Sequence, residues 1–202
     1  MKIAIIKYNA GNIQSVINAI QRIGYTAVLT DIPQEIKNAD RVIFPGVGEA
    51  SSAMKYLKDR KLDELIKSLR QPVLGICLGM QLLGVHSEEN DTVCLGVVPA
   101  MVKKLQSKTT NGQQLKVPHI GWNTVIHEES GLFQNISTQS YCYFVHSYAM
   151  ELNDCTLART EHTQLFSSAV QWQNFYGVQF HPEKSASVGE LLLKILLKKH
   201  DK

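Results

Sequence analysis

The sequence is poor in the features that define several classes of protein. Its 202 residues include four cysteines, with no Cys-x-x-Cys pair and no His/Cys spacing typical of zinc ligands, which argues against a disulfide framework or a metal site. No apolar run approaches the length that spans a membrane, and the four apolar residues at positions 3–6 are too few for a secretion signal. We therefore expect a cytoplasmic protein that uses neither a metal ion nor an organic cofactor.

The chain also lacks low-complexity segments, internal repeats and any linker that would divide it. With 44% hydrophobic residues it can bury one sizeable core, so we expect a single domain over residues 1–202. The net charge is only +3, and much of the basic excess lies on or after the last predicted helix, at Lys194, Lys198, Lys199 and Lys202. This pattern is typical of the solvated face of an amphipathic helix, and no aromatic-basic interleaving favours nucleic-acid binding.

The most informative segment that is present surrounds Cys77. Residues 73–76 form a short apolar run typical of a strand covered on both faces, and a helical pattern follows the cysteine. Gly75 and Gly79 lie two residues to either side, as in the Gly-x-Ser-x-Gly strand-turn-helix elbow with sulfur in place of the hydroxyl. The dipole of the following helix favours a thiolate. Because a cysteine in an apolar run is also a common core residue, the nucleophile hypothesis needs a base elsewhere in the chain.

A candidate base lies near the other end of the chain. Residues 175–180 alternate as a strand does and lead into the motif His-Pro-Glu. Its His181 and Glu183 are two residues apart, so both side chains can project to one side of an extended segment. A carboxylate on one imidazole nitrogen fixes the tautomer and leaves the other nitrogen for the thiol. Taken alone the motif also fits a surface histidine, but together with the elbow it predicts a Cys77-His181-Glu183 triad.

The spacing of apolar residues predicts alternating strands and helices in the first half and short strands in the second. Strands are predicted at residues 2–7, 26–29, 41–44 and 73–76, and helices at 12–23, 50–58 and 78–85. This βαβ alternation indicates a parallel sheet covered by helices. Further strands are predicted near residues 97–105, 115–118, 123–126, 141–148, 156–160, 169–173 and 176–180, joining the same sheet as antiparallel or mixed strands, before a closing helix over 185–199.

Two loops at the carboxyl ends of the predicted strands are candidates for the site, because active sites of open α/β sheets form there. Residues 8–12 start a helix, and Asn12 is a suitable N-cap. Residues 45–48 read Pro-Gly-Val-Gly, a pattern that is common in turns but can also present backbone N–H groups to an anion. The N–H of Leu78 at the elbow would supply the other half of an oxyanion hole.

These motifs together resemble the triad-type (class I) glutamine amidotransferases. The resemblance is carried by Gly75-Ile-Cys77-Leu-Gly79-Met-Gln81, Pro45-Gly46-Val47-Gly48, Ser87-Glu88-Glu89 and His181-Pro-Glu183. Within that family, four segments resemble the glutaminase subunits of imidazole glycerol phosphate synthases: Tyr8-Asn-Ala-Gly-Asn12, Pro118-His-Ile-Gly-Trp-Asn123, Tyr143-Phe-Val-His-Ser-Tyr148 and His181-Pro-Glu-Lys184-Ser185. The similarity spans nearly the whole chain. It implies an α/β, class I glutamine amidotransferase-like (flavodoxin-like) three-layer fold with a central mixed, mostly parallel sheet.

The resemblance also implies a reaction. Cys77 would attack the side-chain carboxamide of glutamine, His181 would protonate the departing ammonia, and Glu183 would orient the histidine. The oxyanion would lie between the amides of Leu78 and of the 46–48 loop, with Val47 and Gly48 as donors. Motif matching assigns substrate binding to Gly46, Gln81, Glu89, His146, Ser147 and Tyr148.

The same resemblance implies a partner. Ammonia would pass to a separate (β/α)8 cyclase subunit in a heterodimer, where it reacts with a ribotide intermediate to give imidazole glycerol phosphate and an aminoimidazole ribotide. The positions that match the interface are Asn12, Trp122, Asn123, Tyr143 and Lys184. Because glycines flank Val47, the peptide between them is easy to rotate, and the oxyanion donor is expected to stay misdirected until the partner and its ligand bind.

Alternatives remain at this stage. A stand-alone cysteine hydrolase, the glutaminase of another synthase, or a catalytically silent interaction subunit would share parts of these patterns. Lys7, Asn90 and Ala100 also depart from the family, which commonly has an acidic residue at the first of these positions and glycine at the other two. They leave open the shape of the loops around the pocket.

Overall fold

The chain is described by a computed structural model for residues 1–8, 13–109, 111–129 and 131–198. In these ranges the helices are α1 (Ile13–Arg22), α2 (Pro33–Lys37), α3 (Ala50–Asp59), α4 (Leu62–Ser68), α5 (Leu78–Leu83) and α6 (Ala186–Leu197). The strands are β1 (Ile3–Ile6), β2 (Ala27–Thr30), β3 (Arg41–Gly46), β4 (Val73–Cys77), β5 (His86–Ser87), β6 (Thr92–Val93), β7 (Met101–Lys104), β8 (His119–His127), β9 (Gln139–His146), β10 (Tyr148–Met150), β11 (Thr156–Glu161), β12 (Leu165–Trp172) and β13 (Phe175–Val178). No helix among these residues is long and apolar enough to cross a membrane.

A nine-stranded mixed sheet forms the centre of the described chain, in the order β2-β1-β3-β4-β13-β12-β11-β8-β9. The first five strands of this order pair in parallel, and β12, β11, β8 and β9 extend the sheet by antiparallel pairing. The parallel strands β1 and β4 are fully buried apolar runs, as helices on both faces require. Because β4 and β13 are adjacent and parallel, Cys77 at the end of β4 and His181 just after β13 lie at the same end of the strands.

Helices cover both faces of this sheet and give it three layers. Ala4 and Ile6 of β1 point into a core shared with α2, α3, α4 and α5. Ile3 and Ile5 point to the opposite side, into a core shared with α1 and α6. Alternation along one strand thus supplies both cores, and the predicted three-layer α/β fold is confirmed.

The structure corrects the sequence prediction in several places. Residues 115–118 form no strand, and α2 and α4 were not predicted. A second, four-stranded sheet of order β10-β7-β5-β6 takes up β7, which was expected to join the central sheet, together with β5, β6 and β10, which were not predicted as separate strands. The helix after Cys77 ends at Leu83, two residues before the predicted end, because the chain turns at Gly84 toward β5 of this small sheet.

Candidate active site

Cys77 lies at the apex of a strained strand-to-helix turn. Its φ of 52° and ψ of −110° are unfavourable for a residue with a side chain, and such strain is typical of functional sites. The turn depends on close packing, since a Cβ on Gly79 would overlap the carbonyl of Phe44 and a Cβ on Gly75 would lie 2.8 Å from the backbone of Gly79. The two glycines therefore allow α5 to start directly against β3 and β4.

His181 and Glu183 form a buried pair beside this cysteine. His181 Nδ1 lies 2.7 Å from Glu183 Oε1, and both side chains are 2% exposed. Glu183 reaches the imidazole from a short 3-10 helix, Pro182–Lys184, whereas the sequence predicted an extended segment. Nε2 of His181 is buried and makes no hydrogen bond within the described residues, so it is available to exchange a proton with the nearby sulfur.

Electrostatics in this cluster keep His181 charged. Burial alone would lower the pKa of its imidazole, but interactions with Cys77 and Glu183 outweigh burial and raise the pKa to about 10. The histidine is therefore protonated at neutral pH. A protonated imidazole beside a sulfur is the arrangement that favours a thiolate nucleophile and supplies a proton to a leaving group.

A cavity of about 280 Å³ opens directly in front of the thiol. It is lined by Val47, Gly48, Cys77, Leu78, Gln81, Glu89, Pro118, Val145, His146, Ser147 and Tyr148. All of the predicted oxyanion and substrate-binding positions except Gly46 line this cavity. Gly46 instead ends β3 opposite Cys77 and lies over the Tyr8 side chain, behind the cavity wall.

The acidic rim of the cavity is braced by α3. Glu89 Oε2 accepts a 2.8 Å hydrogen bond from the Ala50 amide, and Glu49 accepts from the amides of Ser51 and Ser52 at 2.7 and 2.9 Å. Burial raises the pKa of Glu89, and the charge of Glu49 adds to that effect. Burial would also raise the pKa of Glu49, but the hydrogen bonds lower it to about 2. The two carboxylates join the N-terminus of α3 to the loop that carries Glu89.

His146 lines the cavity, but both of its ring nitrogens already have partners. Nδ1 lies 2.9 Å from the carbonyl oxygen of Tyr148, and Nε2 lies 3.0 Å from Nδ1 of His119. Burial lowers the pKa of His146 to about 3 and, with the charge of His162, that of His119 to about 4. Both rings are thus neutral at physiological pH. His146 lies at the predicted substrate-binding position, where it forms part of the cavity wall.

Gln179 is a residue of this site that the sequence reasoning missed. It is fully buried, donates from Nε2 to Cys77 Sγ at 3.6 Å, and accepts from Gln81 Nε2 at 3.0 Å. Gln81 donates at 2.8 Å to the Tyr148 carbonyl as well. A polar residue at an inward position just after a buried strand was the available signal.

Three of the predicted partner positions, Trp122, Tyr143 and Lys184, come together where β8 and β9 pair. Trp122 and Tyr143 are register partners with ring centroids 6.1 Å apart, and Lys184 Nζ lies 5.6 Å from the Tyr143 ring. Trp122 is 52% exposed, whereas the Asn123 side chain bonds His119 and the carbonyl of Glu161. The remaining predicted position, Asn12, lies outside the described residues.

The fold and this geometry define a class of enzyme, one that attacks amide bonds with a cysteine nucleophile at a strand-to-helix turn of a mixed α/β sheet. The chain belongs to the glutamine amidotransferase class-I family, whose model matches residues 4–197. The resemblance read from the sequence motifs is thereby confirmed.

Individual relatives narrow the comparison. The chain is 49% identical over 197 residues to "Imidazole glycerol phosphate synthase subunit HisH" of Bacteroides fragilis (strain YCH46), covering 98% of this chain and 99% of that protein. Proteins of the same name from Idiomarina loihiensis and Vibrio cholerae are 45% and 47% identical, over 98% and 96% of this chain and 97% of each relative.

Solved structures agree on the fold. A putative GMP synthase protein from Thermoplasma acidophilum superposes with a TM-score of 0.73 at 19% identity, covering 97% of this chain and 92% of that one. A glutamine amidotransferase from Thermotoga maritima gives a TM-score of 0.64 at 18% identity, covering 96% and 81%. At such identities these neighbours establish the architecture alone.

Proposed function

We propose that this chain is the cytoplasmic glutaminase subunit of an imidazole glycerol phosphate synthase, acting as one domain over residues 1–202. It hydrolyses L-glutamine to glutamate and ammonia and delivers the ammonia to a cyclase subunit. The observation that carries the proposal is the buried Cys77-His181-Glu183 cluster at the mouth of a cavity of about 280 Å³. The full-length relatives support the choice of synthase.

The reaction proceeds in two halves. Cys77 Sγ attacks the carboxamide carbon, so that a C–S bond forms and the C–N bond breaks, while His181 gives its proton to the departing nitrogen and ammonia leaves. Water then attacks the thioester carbon while His181 takes a proton from it; the C–S bond breaks, glutamate leaves, and the thiolate beside protonated His181 is restored. Glu183 keeps the imidazole in one orientation and stabilises its charged form.

The oxyanion of both tetrahedral intermediates is assigned to backbone amides on two sides of the thiol. Leu78 is the first residue of α5, so its N–H has no acceptor within the helix. Val47 and Gly48 line the same cavity, and Gly48 has a φ of 115°. Rotation of the Val47–Gly48 peptide is then the step by which a bound partner activates the site.

The remaining cavity residues hold the amino-acid end of glutamine. Glu89 faces the substrate ammonium, while Gln81 and the segment from His146 to Tyr148 surround the carboxylate and backbone of the substrate. Gly46 supports the oxyanion loop from behind.

The cyclase subunit docks on the Trp122-Tyr143-Lys184 surface, an interface to which the sequence motifs also assign Asn12 and Asn123. Tyr143 connects this surface to the triad, because its carbonyl accepts a 2.9 Å bond from the His181 amide. Lys184 follows Glu183 directly in the short 3-10 helix. Ammonia released at Cys77 therefore leaves close to the docked partner.

The test is glutamate release by the chain alone and with a purified cyclase subunit and its ribotide ligand. Wild type is expected to be strongly activated by the partner and ligand, and Cys77→Ala to be inactive with glutamine while the complex still makes imidazole glycerol phosphate from ammonium salts. Cys155→Ala, a buried cysteine outside the site, is the matched control and keeps activity. Glutamine hydrolysis by Cys77→Ala would refute the mechanism, and equal rates with and without the partner would refute the activation.

A further inference from the structure

A continuous row of hydrogen bonds runs behind the cavity wall from β8 to the nucleophile. His119, on β8, is buried between two rings, with centroids 4.9 Å from Phe144 and 4.2 Å from His162. Its neighbour His146 is also buried. The proposed reaction gives no role to the His119 ring.

The direction of every bond in this row can be deduced. The Tyr148 carbonyl can only accept, so His146 Nδ1, 2.9 Å away, carries a hydrogen and His146 Nε2 carries a lone pair. His119 Nδ1, 3.0 Å from that lone pair, must therefore donate. His119 Nε2 then accepts from Asn123 Nδ2 at 3.2 Å.

The orientation of the Asn123 amide is fixed independently. The same Nδ2 donates to the Glu161 carbonyl at 2.9 Å, and Oδ1 accepts from the Thr124 amide at 2.7 Å. The start of the row is thus tied to the backbone of two strands, β8 and β11. Its polarity does not depend on an arbitrary choice of tautomer.

The row converges on a single peptide group of the cavity wall. The Tyr148 carbonyl accepts from His146 on one side and from Gln81 Nε2, at 2.8 Å, on the other. Gln81 also donates to Gln179, which donates to Cys77 Sγ. The Tyr148 peptide is part of the cavity wall, and it is also connected to the thiol through Gln81 and Gln179.

We infer that His119 is a positioning residue for the glutamine pocket, acting through His146 to hold the Tyr148 peptide against Gln81. The inference rests on the proposed function. Without the His119 donor, His146 Nε2 is a buried acceptor with nothing to bind, and the imidazole is held against the Tyr148 carbonyl by one hydrogen bond in place of two. The wall that contacts the substrate then loses one of its two supports, and glutamine binding weakens more than the chemical step.

A matched pair of variants tests this inference. Asparagine and leucine have nearly the same shape, but asparagine places an N–H donor close to the position of the histidine Nδ1. In the complex with the cyclase subunit, His119→Leu is expected to raise the KM for L-glutamine about tenfold with a much smaller change in kcat, and His119→Asn to restore most of the loss. Equal KM values for the two variants would overturn the inference, because packing alone would then explain the effect.

His127 supplies the control on the same strand. It is buried on β8 and stacks on Phe133 at 4.1 Å between centroids, but it does not line the cavity. His127→Leu should leave the KM for glutamine unchanged even where it lowers thermal stability. A comparable rise in KM would mean that any buried histidine of β8 has this effect.

A measurement on the wild-type chain does not depend on the variants folding. In long-range ¹H–¹⁵N spectra of protein labelled at the histidine nitrogens, His119 and His146 are both expected as neutral rings with the hydrogen on Nδ1. The opposite tautomer at either ring would reverse the row and overturn the inference. If wild type fails to hydrolyse glutamine, the proposed function fails while these spectra still decide the geometry.

Discussion

At the scale of single residues, the site depends on buried polar side chains as much as on the triad. Gln179 is fully buried, and its amide connects the thiol to Gln81. A hydrogen bond to sulfur stabilises negative charge there, so this residue contributes to the state of the nucleophile without contacting the reacting carbon. It is a positioning residue for both Cys77 and Gln81.

Replacement of Gln179 by methionine, which has a similar shape, should therefore slow acylation. We expect a fall in kcat/KM for glutamine of roughly tenfold or more, since a buried polar contact is worth about 1–3 kcal/mol. Gln171→Met is the control, because Gln171 lies on the neighbouring strand β12 and bonds the Tyr176 hydroxyl. Steady-state kinetics that show equal losses for the two variants would contradict this role.

The buried histidines predict a pH dependence of stability. The pKa of His146 is lowered to about 3 in the folded chain, with burial as the main cause, against about 6.5 when unfolded. The unfolded state binds the proton more readily than the folded state does. The free energy of unfolding is therefore highest above pH 6.5 and falls as the pH drops toward 3. We expect His146→Asn to show a smaller loss of unfolding free energy between pH 7 and pH 4.5 than wild type in urea titrations. Identical slopes would contradict the prediction.

At the scale of elements, the loop before β6 explains one departure from the family. Asn90 has a φ of 51°, a conformation that glycine adopts freely and asparagine tolerates. Its Nδ2 also donates to Glu49 Oε1 at 2.9 Å, which ties the loop to the N-terminus of α3. The asparagine thus keeps the backbone of a glycine and adds a bond beside Glu89.

Two substitutions separate these effects. Asn90→Gly loses the bond to Glu49 at a cost of about 1 kcal/mol, whereas Asn90→Ala also incurs about 1–2 kcal/mol for the left-handed backbone. We expect chemical denaturation to rank the stabilities wild type, glycine variant, alanine variant. Asn135→Ala, at a φ of 60° away from the cavity, is the control that should destabilise without changing the KM for glutamine. An alanine variant as stable as the glycine variant would exclude the backbone argument.

The sequence could predict the elements that are determined by neighbouring residues, and it could not predict those that depend on contacts between distant segments. Strands such as β1 and β4 were predictable because both of their faces are buried, and the Cys77 elbow because its glycines are required by local packing. Membership of β7 in a second sheet was not predictable, since it depends on pairing with β10 more than forty positions away. Gln179 was missed for the same reason, because its partners come from distant segments.

At the scale of the whole molecule, the two tryptophans lie at opposite ends of the strands of the central sheet, Trp122 near the start of β8 and Trp172 at the end of β12. Trp122 belongs to the surface that connects through Tyr143 to His181, whereas Trp172 pairs with Phe175, near the start of the parallel strands. Both are exposed, at 52% and 41%. They provide a comparison of the proposed interface with a remote surface that uses the same residue type.

Trp122→Ala should weaken binding of the cyclase subunit, and Trp172→Ala should not. A tryptophan at the centre of an interface commonly contributes about 2 kcal/mol or more, which corresponds to roughly a thirtyfold rise in Kd measured by calorimetry. Trp122→Ala should also reduce the activation of glutamine hydrolysis at partner concentrations near the wild-type Kd, and excess partner should restore it, because the triad itself is unchanged. Loss of affinity in Trp172→Ala instead, or equal effects of the two substitutions, would place the docking surface elsewhere on the sheet.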